Sequence, residues 1–383
     1  MRIGFDAKKI VTNLTGIGNY SRGIINALAN HYPGNQYILF APNKGKEQCT
    51  DRLQPHACIT SVYPQSAWSP AQEWWRCHGI VKDITRNRTD IFHGLSNELP
   101  FGIRRAGCKS VVTIHDLIFL RYPQTYTLID RLILKIKTLY ACRKADKIIA
   151  ISQQTKQDIM KFYGIPEEKI EIVYQGCDSI FYRTTGIDER QAIQKRYNLP
   201  SRYLLCVGTF EQRKNQLSIL QSLVLTDEDI HLVLVSKPTK YQNVIEERIK
   251  NLGLQQRVHI LNSVSNADLP VLYQSAVAFI YLSWFEGFGI PVLEALVSGT
   301  PVIAATGSCL EEAGGPTSLY CDPFDYQQVA TFINELTRHS EKREAMAIAG
   351  KKYADRFSEQ QIAQQLHYVY QQLMKEHQPP YQS

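Results

Sequence analysis

Residues 283–304 read SWFEGFGIPVLEALVSGTPVIA, and the reading of the whole chain starts from them. Just before them, Val277–Leu282 is an unbroken apolar run, the pattern of a parallel strand buried on both faces. Glu286-Gly-Phe-Gly then makes a glycine-rich turn. Pro291 suits the first turn of a helix, where its missing N–H costs nothing. Val292, Leu293, Ala295 and Leu296 carry that helix to Gly299, and Thr300-Pro-Val-Ile-Ala opens another strand. Such a strand–loop–helix–strand unit sets its loop at the carboxyl end of a strand, where open α/β sheets line a ligand crevice.

The loop has a definite chemistry. Gly287 and Gly289 let backbone approach a ligand closely. The amides at the helix start, Phe288 to Ile290, favour a phosphate. Glu286 and Glu294 flank that position and would repel a phosphate. They suit the hydroxyls on either side of one, such as those of a sugar and a ribose. The spacing alone serves equally well for a solvated loop carboxylate and a helix-surface carboxylate.

The full run E-G-F-G-I-P-V-L-E-A-L-V-S-G-T-P-V-I-A resembles the E-x7-E signature of glycosyltransferase family 4, the retaining nucleotide-sugar enzymes. The resemblance implies an α/β chain of GT-B fold, two facing Rossmann-like domains with a deep cleft between them. It implies an acceptor-binding domain over residues 1–184 and a donor-binding domain over 185–359, with a helix over 360–383 crossing back. It covers nearly the whole chain and is weakest over Asn43 to Arg88, of which Asn43–Pro64 reads as polar and irregular.

Three further stretches carry it. Thr15-Gly-Ile-Gly-Asn follows a first strand, Arg2 to Asp6, and feeds a helix marked by Ile17, Tyr20, Ile24, Ile25 and Leu28. It lacks the Lys-Ser/Thr of a P-loop and the third glycine of a dinucleotide fingerprint. The resemblance assigns Gly16, Ile17 and Gly18 to the donor phosphates and the acceptor. Thr113-Ile-His115-Asp116-Leu ends an apolar strand, and a histidine there can donate to an oxyanion. The resemblance places His115 on the donor sugar, and Asp116 either orients it or binds an acceptor hydroxyl. Gly208-Thr209-Phe-Glu-Gln-Arg213-Lys214-Asn ends the first strand of the second half. Two cations at that position can offset charge on a departing diphosphate. His93, at the end of Asp90-Ile-Phe-His-Gly, is expected beside the same crevice.

The 383 residues divide into two domains by size, and the linker is expected at Arg183–Asp188. Nine scattered cysteines without a C-x-x-C pair suggest reduced thiols and no zinc site. MRIGFDA runs straight into a strand pattern, so no signal peptide is expected, and the chain is read as cytoplasmic. Charge is uneven: 24 Lys and Arg face 15 Asp and Glu in residues 1–180, against 19 and 21 in the remainder. A basic first half fits a phosphate-bearing acceptor, the inner face of an anionic membrane, or simple solubility. No nucleic-acid motif is present. Leu128–Ala145 alternates apolar and basic residues at helical period and reads as a solvated face, or as one resting on anionic lipid. Trp68, Trp74 and Trp75 are expected in the core, as the packing of a helix, with a membrane-surface patch or an acceptor platform as the alternatives. Residues after His377 are expected to be disordered.

The resemblance thus implies a metal-independent, cofactor-free hexosyltransferase. It would use a nucleotide-sugar donor, GDP-mannose first, and a glycan or lipid-linked acceptor. A nucleotide-sugar epimerase of the same fold would need no acceptor, and a non-catalytic nucleotide-sugar-binding subunit would show no turnover.

Overall fold

The computed structural model describes residues 1–65 and 68–375. The tail expected to be disordered after His377 lies outside the described residues. The chain divides into two compact units, Met1–Gly176 with the segment from Phe357 onward, and Cys177–Arg356.

The first unit holds a seven-stranded sheet: β1 (Arg2–Asp6), β2 (Gln36–Phe40), β3 (Ile59–Val62), β4 (Ile91–Gly94), β5 (Lys109–Ile114), β6 (Lys147–Ala150) and β7 (Ile170–Ile172). Their order is β3-β2-β1-β4-β5-β6-β7, and every pairing is parallel. Side chains alternate across a strand, so β2 shares its residues between two cores. Tyr37 and Leu39 join one with the helix Gly16–His31, whereas Ile38 and Phe40 join the other with Phe92, Val112 and Ala141. The helix Glu359–Lys375 completes the first of these, burying Ile362, Leu366, Tyr370 and Leu373.

The second unit repeats the plan with β8 (Tyr203–Val207), β9 (His231–Val235), β10 (Val258–Leu261), β11 (Ala278–Tyr281), β12 (Val302–Ala305) and β13 (Leu319–Cys321), ordered β10-β9-β8-β11-β12-β13 and all parallel. β11 is buried at every residue, as a doubly covered strand requires. In both units the strand order reverses beside the first strand, at β1/β4 and at β8/β11. Such switch points open the crevice where doubly wound sheets bind ligands.

Three expectations change. Arg183–Asp188 is no free linker. The Gln274 side chain accepts from the Thr185 backbone N–H at 3.0 Å and donates to the Arg183 carbonyl at 2.7 Å, fixing the stretch to the second unit. The boundary moves to Gly176/Cys177, and the return to Arg356/Phe357. Of the three tryptophans expected in the core only Trp75 is buried, its indole N–H donating to Asp83 at 2.7 Å, whereas Trp68 and Trp74 are 70% and 63% exposed. β3 emerges from the span Asn43–Pro64, read as irregular. It is a half-covered edge strand with two exposed polar residues, and an edge needs little apolar patterning.

Candidate active site

In the second unit two loops converge. The first leaves β8, passes Gly208 and Thr209, and turns through a short 3-10 segment, Gln212–Lys214. The second leaves β11 and enters the helix Ile290–Val297. They are tied through the backbone: the Trp284 N–H donates to the Arg213 carbonyl at 3.0 Å, and so does the Ser283 hydroxyl at 3.2 Å. Gly289 caps the helix at φ +115°, and a Cβ there would meet Leu310 Cδ2 at 2.8 Å, so only glycine fits. In the next loop Glu311 accepts from the Gly307 N–H at 2.9 Å and from Thr306 Oγ1, closing the turn.

Glu286 sits at the meeting point. One carboxylate oxygen accepts from Lys214 Nζ at 2.6 Å, pairs with Arg213 Nη1 at 3.0 Å, and accepts from the Tyr281 hydroxyl at 3.0 Å. All three charged side chains are 12–15% exposed. Burial alone would raise the carboxyl, but the charges of Lys214 and Arg213 overcome it and hold it at about 2. Burial works against the Arg213 charge too, and Glu286 and Glu211 more than offset this. The cations expected to face a diphosphate are therefore already set around an anion, and the trio carries one net positive charge. Glu286 lets two like charges stand side by side in a half-dry site. Lys214 spends two of its three N–H donors on Glu286 and Tyr281.

Glu294 lies one to two turns into the helix and is partly buried, accepting from the Tyr273 hydroxyl at 2.9 Å. Burial lifts its carboxyl to about 8, the Tyr273 bond opposing and the Asp178 charge assisting. It can therefore donate as well as accept at neutral pH. The folded chain keeps a proton that the unfolded chain loses above the ordinary carboxyl range. This contribution is complete at low pH and is lost as pH rises through about 8. Glu294→Gln, neutral throughout, is expected to gain in Tm over wild type by several degrees between pH 5.5 and 8.5, read by thermal denaturation at each pH (about 2–4 °C per kcal/mol at this domain size). Parallel Tm curves would contradict it.

In the first unit β1 is followed by a short helix, Lys8–Thr12, and then by the helix Gly16–His31, which has Gly16, Ile17 and Gly18 in its first turn. A Cβ on Gly18 would stand 1.9 Å from the Asn13 carbonyl oxygen, so the helix can close on the preceding loop only with glycine there. Arg22 secures that loop, donating to the Ile10 carbonyl at 2.7 Å and the Asn13 carbonyl at 2.8 Å.

His115 follows β5 and is buried. Its Nε2–H donates to the Leu95 carbonyl at 2.8 Å, and Nδ1 accepts from the Gln175 amide at 2.9 Å. Burial depresses its pKa to about 4, against the Leu95 bond, so the ring is neutral. To donate to an oxyanion it would have to give up Leu95. Asp116 accepts from the Ile118 N–H at 3.1 Å, and Leu95 and Gln175 set the ring's orientation. His93 lies within β4 rather than at a crevice edge. It is fully buried between the Tyr370 hydroxyl at 2.7 Å and Thr113 Oγ1 at 2.8 Å. Thr113 also meets the Tyr20 hydroxyl at 3.1 Å, and Tyr20 packs edge-on against His115.

The residues brought together are thus Arg213, Lys214 and Glu286. Sequence reading missed Tyr281, Tyr273, Gln175 and Asn97, which accepts from the His115 N–H at 2.8 Å. Tyr281 had a signal: a hydroxyl one residue before the end of an otherwise apolar run, five residues before the glutamate. Among the described residues no three His, Cys, Asp or Glu side chains converge as a metal site.

Two family models match this chain: "Glycosyltransferase Family 4" over residues 14–179 and "Glycosyl transferases group 1" over 188–353. O-antigen chain mannosyltransferase B of Escherichia coli is 27% identical over 382 residues, 94% of this chain and 96% of that protein. O-antigen chain mannosyltransferase RfbU of Salmonella typhimurium is 28% identical over 228 residues, 60% of this chain and 61% of that protein. Among solved structures, HepE of Anabaena in complex with UDP and glucose superposes with a TM-score of 0.74 at 20% identity. The match covers 97% of this chain and all of that one, and at this identity shows the fold alone.

Proposed function

We propose a reaction for this chain, which belongs to glycosyltransferase family 4, has the GT-B fold and is a glycosyltransferase: hexosyl transfer from a nucleotide sugar to an acceptor hydroxyl, with retention at the anomeric carbon. GDP-mannose is the first donor to try, because the two relatives above are both named O-antigen chain mannosyltransferases. Those names also point to a hydroxyl of a glycan or lipid-linked glycan as the acceptor. The observation that carries the reading is the convergence of Arg213 and Lys214 on Glu286, where the β8 and β11 loops meet at a switch point.

In this reading the second unit binds the donor. Arg213, Lys214 and the amides of Phe288 to Ile290 hold the diphosphate. Glu294 takes the ribose hydroxyls, and Glu286 takes sugar hydroxyls with the lone pairs its cations leave. The first unit offers Gly16 to Gly18 and the His115-Asp116 turn to the acceptor side. The anomeric C–O bond to the phosphate breaks, the acceptor oxygen bonds to the same face, and its proton passes to the departing phosphate. A carboxylate held at about 2 between two cations is a poor nucleophile, which favours this front-side course over a covalent intermediate. The cations meet the charge on the leaving group, a task that metal ions perform in other transferases.

The test is direct. With GDP-mannose and a mannan acceptor, NMR of the product should show the donor's own anomeric configuration, at undiminished rate in excess EDTA. An inverted product would overturn the retaining course, and strict Mg²⁺ dependence would overturn the metal-free one. A thermal-shift comparison of GDP-, UDP- and ADP-sugars assigns the nucleotide, since a bound ligand raises apparent stability.

A further inference from the structure

The helix Leu128–Lys144 is inside out for a helix of a water-facing surface. Its buried residues are Thr138, Ala141 and Cys142. On the opposite side Leu128, Ile129, Leu132, Ile133 and Ile136 are 75%, 73%, 59%, 47% and 54% exposed. Their i, i+4 spacing puts them on one stripe less than half the helix circumference wide. Single exposed aliphatics are ordinary, but five on one stripe are not. The stripe also continues beyond the helix. Tyr140 packs on Phe101 at 4.7 Å between ring centroids, Phe101 stacks on His78 at 5.2 Å, and His78 stacks on Trp74 at 5.9 Å. An indole at the rim of an apolar stripe suits the headgroup level of a bilayer.

Cations dominate the charge around the stripe, although Asp130, Asp146, Glu167 and Glu168 are exposed nearby. Lys135 on one flank and Arg143 and Lys144 toward the end are exposed. Lys169 donates to the Arg143 carbonyl at 3.1 Å, adding a fourth cation. Asp130 is the one acidic residue of the helix, and it is turned to the Thr127 cap. Nearby Glu98 is engaged by Arg76 and Lys137. Among the described residues no helix is long and apolar enough to cross a membrane, so the surface suits lying on a bilayer.

We infer that the stripe from Leu128 to Ile136, with Trp74 at its rim and Lys135, Arg143, Lys144 and Lys169 around it, docks the first unit on an anionic lipid surface. Aliphatic side chains sink to the acyl boundary, and the cations meet lipid phosphates. This does not depend on the catalytic reading, since none of these residues belongs to the proposed site.

Sedimentation of the full chain with phosphatidylcholine vesicles, with and without phosphatidylglycerol, tests it. Binding is expected only with the anionic lipid and is expected to weaken at high salt. Leu132→Ser with Ile136→Ser should lower the partition coefficient by roughly 100-fold. Lys135→Gln, Arg143→Gln and Lys144→Gln together should lower it by a similar factor at low salt, at roughly fivefold per cation. Both variants should keep the wild-type melting curve and activity toward a water-soluble acceptor, because the altered side chains are exposed. Absence of wild-type binding, or binding equal in the apolar variant, would overturn the inference. So would a concentration-dependent dimer that the apolar variant abolishes, which would make a second copy the occupant.

Discussion

Lys214→Ala is expected to lower turnover by about 10²–10³-fold, the loss seen when one donor to a developing oxyanion is removed. The reason lies in what stays behind. Glu286 keeps Arg213 at 3.0 Å and Tyr281 at 3.0 Å, so the carboxylate is not orphaned and the fold should hold. What disappears is an ammonium whose third N–H remains for the leaving diphosphate. That interaction strengthens as the anomeric bond breaks and charge gathers on the phosphate. The loss should therefore fall on kcat more than on KM. Steady-state kinetics on protein with an unchanged melting curve is the check. Wild-type turnover would remove Lys214 from the chemistry.

Glu286→Gln should show the opposite division, with stability lost as well as activity. The variant leaves Arg213 and Lys214 side by side with only Glu211, paired to Arg213, as counter-charge. Breaking one partner from a buried ion pair costs about 3–5 kcal/mol, which for a domain of this size is roughly 10 °C of Tm. The pH dependence identifies the cause. The carboxyl is held at about 2, below its ordinary range, so its contribution is whole above that range and disappears as pH falls toward 2. The gap in Tm between wild type and variant should therefore narrow in acid. A constant gap would mean that packing, not charge, was lost. Turnover should fall too, because the sugar hydroxyls lose a charged, two-oxygen acceptor and meet an amide with one acceptor oxygen.

The strand–loop–helix–strand unit around Glu286 was legible because each part obeys a local rule. A doubly covered strand must be apolar throughout, a cap at φ +115° must be glycine, and a helix start tolerates proline. The pairing of Arg213 and Lys214 with Glu286 was not legible. It joins residues about seventy positions apart, and the cations were expected to stand open to a diphosphate. His115 is a similar case: its neutral ring is set by Gln175, sixty residues on, which no local pattern marks. The unit boundary was displaced because a polar, glycine-bearing stretch looks like a linker, yet Gln274 anchors it. The exposed face of Leu128–Lys144 was half legible. Its alternation of apolar and basic residues was plain, but which half faces solvent depends on what the other half packs against.

The central claim is that Lys214 and its neighbours grip the leaving diphosphate of a nucleotide sugar. Calorimetric titration of wild type and Lys214→Ala with nucleoside diphosphate and nucleoside monophosphate addresses it directly. The account predicts that wild type binds the diphosphate more tightly, and that Lys214→Ala removes most of that difference while leaving the monophosphate little changed. Equal preference for the diphosphate in both proteins would contradict it.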